Sequence, residues 1–235
     1  MKSSAIPVIL LTLAVAVGAP VSAQTPPAPA GETDLYHVHF TKAAPGQAAA
    51  LGKVLLQPDP NTPMPDHFIV LRHQEGDDWD YAVIQHLGPK AQLSAAAPAP
   101  PDSERDLRAW HNDTFASGPS WAEFTKQMGI GGSSTGGVYT IGVQRPVPGH
   151  RDQLMAALTA PPAAGAKQTG DVLLQHVEGG DWTFLTITRH NSWQDFAADR
   201  AAAASAPGTA GGWADIRQHS AFHRDTIADR LAPAK

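Results

Sequence analysis

The stretch His37-Val38-His39 is the one best suited to chemistry. On a strand, residues two apart point to the same face, about 7 Å from each other. Two imidazoles so placed suit two ligands of one metal, or a general base and the group that orients it. A metal would need a third ligand, and no HxxxH or His–carboxylate spacing supplies one. His67 and His86 are candidates only by proximity in the sequence. A haem held by a single His is a further possibility, but nothing singles out an axial residue. The expected cofactor is therefore none, with metal and haem as alternatives.

A second group of metal-capable residues occurs twice. "HQEGDDW" spans His73–Trp79 and "HVEGGDW" spans His176–Trp182, 103 positions later, with five of seven residues the same. His, Glu and Asp could ligate, yet Glu-Gly-x-Asp is also turn chemistry: Gly accepts positive φ and Asp bonds nearby backbone. Because both copies keep it, the heptad reads as a structural hairpin turn. No nucleophile elbow, dinucleotide fingerprint or phosphate loop is present. The Gly-rich "GIGGSSTGG" at 129–137 has no Lys and follows no strand, and no paired catalytic carboxylates stand out.

The offset of 103 also joins Tyr36 to Tyr139, Pro45-Gly46 to Pro148-Gly149, Leu51 to Leu154, Leu55 to Leu158, Pro58 to Pro161 and Trp110 to Trp213. This predicts a tandem duplication, with repeats at 34–128 and 138–231 joined by a linker at 129–137. Each repeat begins with a strand ("LYHVHFT", "VYTIGVQ"), turns at Pro-Gly and continues into a Leu-bearing helix that stops before a proline. Two strands follow on either side of the heptad turn, then an Ala-rich helical region containing Trp. Ser120 and Ser192 are placed to cap helices, with Glu123 in the capping-box position. The order β-α-β-β-α, twice, predicts an α+β fold.

At this point the chain resembles a known group. "YHVHFTKAAPGQAAAL", "YTIGVQRPVPGHRDQL" and "SGPSWAEFTKQM" are similar to segments of dimeric α/β-barrel, ferredoxin-like domains, within that group most similar to NIPSNAP-like and antibiotic-biosynthesis-monooxygenase-like proteins. The resemblance implies two ferredoxin-like halves forming an intramolecular pseudo-dimeric α/β barrel around a pocket. One departure is that the last strand of such a domain is not evident in either repeat.

Strand alternation separates the faces. Tyr36, Val38 and Phe40 oppose His37, His39 and Thr41. If Gln74 pairs with Trp79, Leu71 faces Ala82 and Ile69 faces Ile84. The equivalent pairs of the second repeat are Leu174–Leu185 and Val172–Ile187. That aliphatic face is expected to pack on helices. The opposite face, with Phe68, Arg72, Trp79, Tyr81 and Gln85, is expected to line the pocket beside His37 and His39. The repeats differ most there: Thr140 and Gly142 stand where the first repeat has His37 and His39, and Gln175 where it has Arg72.

Composition bounds the rest. The net charge of -5, without a Lys/Arg cluster, argues against nucleic acid as a partner, and the absence of Cys excludes disulfides and thiolate chemistry. Residues 1–23 read as a signal peptide, with an apolar run too short to span a membrane, followed by a Pro-rich leader at 24–33. Export to the periplasm or the exterior is expected, as a monomer or homo-oligomer. Three functions remain open: a binder of a small aromatic or apolar molecule in the barrel; a cofactor-independent monooxygenase-type enzyme with His37 or His39 as base and Tyr81 or Arg72 steadying the anion; and an interaction protein with no small-molecule site.

Overall fold

A computed structural model describes residues 33–89, 105–131, 137–205 and 208–231. The expected signal peptide, almost all of the leader and the centre of the linker lie outside the described residues. No helix among the described residues is long and apolar enough to cross a membrane.

The chain runs β1 (Asp34–Ala43), α1 (Ala48–Leu55), β2 (Phe68–Glu75), β3 (Tyr81–Pro89), β4 (Arg108–Gly118), α2 (Trp121–Met128), β5 (Val138–Pro146), α3 (Arg151–Leu158), β6 (Gln168–Gly179), β7 (Phe184–His190), α4 (Trp193–Ser205), α5 (Trp213–His219) and β8 (Ser220–Leu231). All strand pairs are antiparallel, and the sheet closes in the order β1-β3-β2-β8-β5-β7-β6-β4. Within each set of four strands the order is fourth-first-third-second, and β2·β8 and β6·β4 are the two seams. The local signals act as expected: α1 and α3 follow the Pro-Gly turns and end ahead of Pro58 and Pro161. Ser120 Oγ accepts from the Glu123 amide at the start of α2, and Ser192 Oγ from the Asp195 amide at the start of α4.

Three expectations are corrected. The first concerns the last strand, which is present in both halves as β4 and β8. Its signal lies in the sequence at a shifted offset. "AWHNDTFA" (Ala109–Ala116) matches "AFHRDTIA" (Ala221–Ala228) at a separation of 112, nine more than 103. Ala116 pairs with Tyr36 and Ala228 with Tyr139, so the two motifs hold the same register against β1 and β5.

The second follows from the first. Trp110 lies on β4 and Trp213 begins α5, so they are not equivalent positions, and the region of Trp110 is strand rather than helix.

The third concerns the faces. The hairpin registers are those expected, Leu71 opposite Ala82 and Leu174 opposite Leu185. The aliphatic face, however, points into the barrel. Tyr36, Val38, Phe40, Ile69, Leu71 and Ile84 form one cluster with Tyr139, Ile141, Leu174, Leu185 and Ile187 of the other half. Closing a sheet creates an interior that water cannot reach, and each fully buried Leu or Ile there contributes about 1.5–3 kcal/mol. Of the helices, α2 adds Phe124 and Met128 to this cluster, while α1 and α3 cover smaller outer patches, α1 over Val70 and Tyr81 and α3 over Phe184. A small-molecule pocket lined by the mixed face inside the barrel is thus replaced by a packed core of aliphatic and aromatic side chains.

The repeated heptads tie the halves together. The Asp77 amide donates to Thr226 Oγ1 and the Gly180 amide to Thr114 Oγ1, so each turn docks on the fourth strand of the other half. His73 and His176 stand edge-on to Trp79 and Trp182, their own heptad tryptophans. The motif is a joint between the halves.

Candidate functional site: an imidazole–carboxylate cluster on the outer barrel face

Because Tyr36, Val38 and Phe40 fill the interior, His37, His39 and Thr41 project outward. The strand registers set out this outer face as three rows. Phe115, His37, Gln85 and Phe68 form one; Asp113, His39, Val83 and Val70 the next; His111, Thr41, Tyr81 and Arg72 the third.

At the β1–β4 edge of this grid, one carboxylate gathers three imidazoles. Asp113 Oδ1 lies 2.9 Å from His37 Nε2 and 2.6 Å from His39 Nδ1, and Asp113 Oδ2 lies 2.9 Å from His111 Nδ1. Neutral imidazoles that donate these three protons satisfy the carboxylate and leave their remaining nitrogens as acceptors. For His39 the remaining atom, Nε2, is buried and has no hydrogen-bond partner among the described residues. Burial lowers the pKa of His39, and the bond to Asp113 offsets this only in part. Burial alone would raise the pKa of Asp113, but the bonds from His37 and His39 outweigh it and hold the carboxyl far below the usual carboxylate range. The result is an ionised Asp113 beside a neutral His39. The His37 ring also lies 5.3 Å from Phe115, which is 38% exposed and offers a flat apolar surface beside the imidazoles.

The other residues expected at the site are engaged elsewhere. Tyr81 is buried under α1 and its hydroxyl donates to the Ala48 carbonyl. Phe68 packs in the same helix-covered cluster. Arg72 forms a two-pronged pair with Asp229 across the β2–β8 seam, at 3.1 and 2.6 Å. Gln85 donates to the Met64 carbonyl, and Trp79 lies in the barrel interior against Phe40. His67 and His86 do not join His37 and His39. Their Nδ1 atoms are 3.0 Å apart, and His86 Nε2 is 2.9 Å from buried Asp34, with Trp121 stacked on both rings. That Asp–His–His chain anchors α2, since the Trp121 amide also donates to Asp34.

Asp113 and His111 were the residues that spacing along the chain could not find, because they reach the His pair only through strand pairing. The "HxDT" motif shared by β4 and β8 was the available signal. The second half shows what is particular to the first. His223 Nε2 bonds Asp225 at 2.9 Å, but Gly142 stands opposite Asp225 where the first half has His39, and Thr140 stands where it has His37. A Cβ on Gly142 would lie 2.9 Å from Asp225 Oδ1, so the aspartate leans over the position that His39 fills in the first half.

No family model and no curated protein matches the chain. Solved structures do. A crystal structure of an anthrone oxidase-like protein superposes with a TM-score of 0.55 at 11% identity, covering 88% of this chain and 98% of that one. A protein from Lactobacillus acidophilus NCFM, provisionally named a monooxygenase, gives 0.45 at 9% identity, covering 85% and 94%. The likeness to the anthrone oxidase-like protein agrees with the chain's fold class, α+β and ferredoxin-like.

Proposed function

We propose that the protein is a cofactor-independent oxidase or monooxygenase acting on a small, electron-rich aromatic molecule, with His39 as general base. One observation carries this reading: His39 holds one nitrogen on Asp113 and leaves the other buried and unpartnered. A base oriented by a carboxylate, and kept neutral by burial, is matched to proton abstraction near neutral pH. The name of the fold neighbour suggests the substrate class. In an anthrone, the base removes a proton from the ring CH2. The resulting carbanion is delocalised into the rings and passes electrons to O2, and the CH2 becomes C=O with release of one water. Phe115 is the face on which such rings would stack, with His37 beside it, and a turn of the His39 ring as the substrate docks brings its buried Nε2 within reach of the CH2. The substrate thus sits outside the barrel, not within it, and Arg72 and Tyr81 take no part.

The test is oxygen uptake with dithranol as substrate, in EDTA to exclude metal chemistry. His39→Ala is expected to lower kcat by about 10²–10⁴-fold, the usual contribution of a positioned base. Asp113→Asn, which disturbs the orientation of all three rings, should lower it by a similar order, while Tyr81→Phe should leave it near wild type. The rate should rise with pH and level off below the pH at which a free histidine titrates. Wild-type turnover in the His39→Ala variant would remove the base.

We further infer that the chain arose by duplication and forms an internal pseudo-dimer, because "AWHNDTFA" and "AFHRDTIA" hold one register in both halves. Export by the N-terminal signal peptide, and affinity to NIPSNAP-like proteins, belong to the same reading.

A further inference from the structure

We propose that the His37, His39 and Asp113 cluster is also a binding site for a divalent first-row transition ion of the Zn²⁺ or Cu²⁺ class. One potential ligand atom from each residue lies within 4.8 Å of the others. Tetrahedral Zn²⁺ with ligands at about 2.0–2.2 Å places neighbouring ligand atoms roughly 3.4 Å apart. His37 Nε2 and His39 Nδ1 stand 2.9 and 2.6 Å from Asp113 Oδ1, so side-chain shifts well under 1 Å would open the group around an ion. The strands fix the ligands in place: two sit on the same face of one strand, and the third is directly across from His39 on β4.

Imidazole and carboxylate suit Zn²⁺, Cu²⁺ and Ni²⁺ better than Ca²⁺ or Mg²⁺, whose preferred ligands are all oxygen. His37 is 32% and Asp113 41% exposed, so an ion has access from solvent and keeps an open position for water. His111 stays bonded to Asp113 Oδ2 and orients the carboxylate from outside the ligand set. The second half offers a contrast within the same chain. There Thr140 and Gly142 replace the two imidazoles, and only His223 and Asp225 remain. The Arg108 guanidinium, whose charge helps hold His39 neutral, opposes a cation and makes the site weaker than one without it.

The ion takes the nitrogens that hold the hydrogen bonds to Asp113 and displaces their protons, so binding releases protons and weakens as pH falls. It also turns the imidazoles from their metal-free orientation. Resting on the base role proposed above, metal loading should therefore switch oxidation off.

The experiment is calorimetric titration of the full-length protein with Zn²⁺, paired with the visible spectrum of a Co²⁺ complex. One equivalent is expected, with Co²⁺ d–d bands of a low-coordinate site. His37→Ala and Asp113→Asn should each weaken binding by about a hundredfold or more, while His223→Ala leaves it unchanged. Thermal melts of each variant show whether it is folded, and His37→Gln serves if the alanine variant is not. Absence of binding, or weak non-saturating binding that survives His37→Ala and Asp113→Asn, overturns the site. Turnover and binding are separable. One tight equivalent of Zn²⁺ without any oxidase activity sustains the metal site and removes the proposed function. Activity that Zn²⁺ at saturation does not inhibit removes the switch.

Discussion

Asp171 shows how one side chain can set part of the pH dependence of stability. Burial raises its pKa from 3.8 to about 6, against the opposing bonds from Thr188 and the Val172 backbone. A group whose folded pKa is raised contributes stability below its unfolded pKa, and that contribution is lost as pH rises through the folded value. At pH 7.5 the protein therefore carries the cost of an ionised, half-buried carboxylate. Asp171→Asn keeps an oxygen for Thr188 Oγ1 and removes the charge. The gap of about two pKa units, at 1.36 kcal/mol each, sets an upper limit of about 3 kcal/mol, and about 1–2 kcal/mol is expected after losses in packing. Thermal melts should show a gain of a few degrees at pH 7.5 that shrinks toward pH 4; a gain of equal size at both would exclude this origin. At the same scale, His37 and His39 were legible because two-residue spacing on a strand is a local fact. Asp113 was not, since it lies 74 positions from His39 and only pairing of β1 with β4 joins them. Arg72, Tyr81 and Gln85 share the face of His37 and His39 as read, but each is held by a partner of its own, Asp229, Ala48 and Met64: sequence shows which way a side chain points more readily than whether a helix or an acid already holds it.

At the scale of elements, the hairpins were the most legible part, and the heptad explains why. Turn chemistry fixed the register, and a register fixes which residues share a face. It does not say which face is inside. That depends on whether the sheet closes, and closure depends on β4 and β8. Both strands were hidden by a nine-residue change in repeat spacing across the α4–α5 region, where the chain between β7 and β8 is longer than that between β3 and β4. The heptad glycines have a second duty beyond the turn. Gly76 has φ +123°, and a Cβ there would lie 2.5 Å from the Asp225 carbonyl oxygen; Gly179 has φ +110°, and a Cβ would clash with the Asp113 carbonyl. Either alanine forces both a strained backbone and separation of a seam. Gly76→Ala and Gly179→Ala should each destabilise by about 2–4 kcal/mol, combining the positive-φ cost with loss of the docked turn. Gly46→Ala provides the comparison, since its φ is +79° and nothing lies within 4 Å of a Cβ. Chemical denaturation of the three variants tests this: a Gly76→Ala cost no greater than that of Gly46→Ala would mean that the turn is not a joint.

For the whole molecule, the two seams are one interface used twice. Ala116 pairs with His176 and Ala228 with His73; Phe115 pairs with Glu178 and Ile227 with Glu75. Ser117–Gln175 likewise has its counterpart in Asp229–Arg72, so either half presents both sides of the joint. A first half alone, residues 34–131, would leave β2 and β4 as open edges and would expose Tyr36, Val38, Phe40, Ile69 and Leu71 to water. Both defects are relieved if two copies associate, with β2 of each against β4 of the other and His73 opposite Ala116. The fragment is therefore expected to be a homodimer by size-exclusion chromatography with light scattering, and that dimer would carry two His37–His39–Asp113 clusters where the full chain has one. Closing a two-chain barrel forgoes the linker that holds the halves together, so its stability should rise more steeply with protein concentration than that of the intact chain. A folded fragment that stays monomeric at high concentration would mean that the half needs no seam, contrary to the pairing and to the shared interior of the barrel. Association is favoured over a closed monomer because the exposed interior face is apolar, and burying it against a copy restores what the second half supplies in the intact chain.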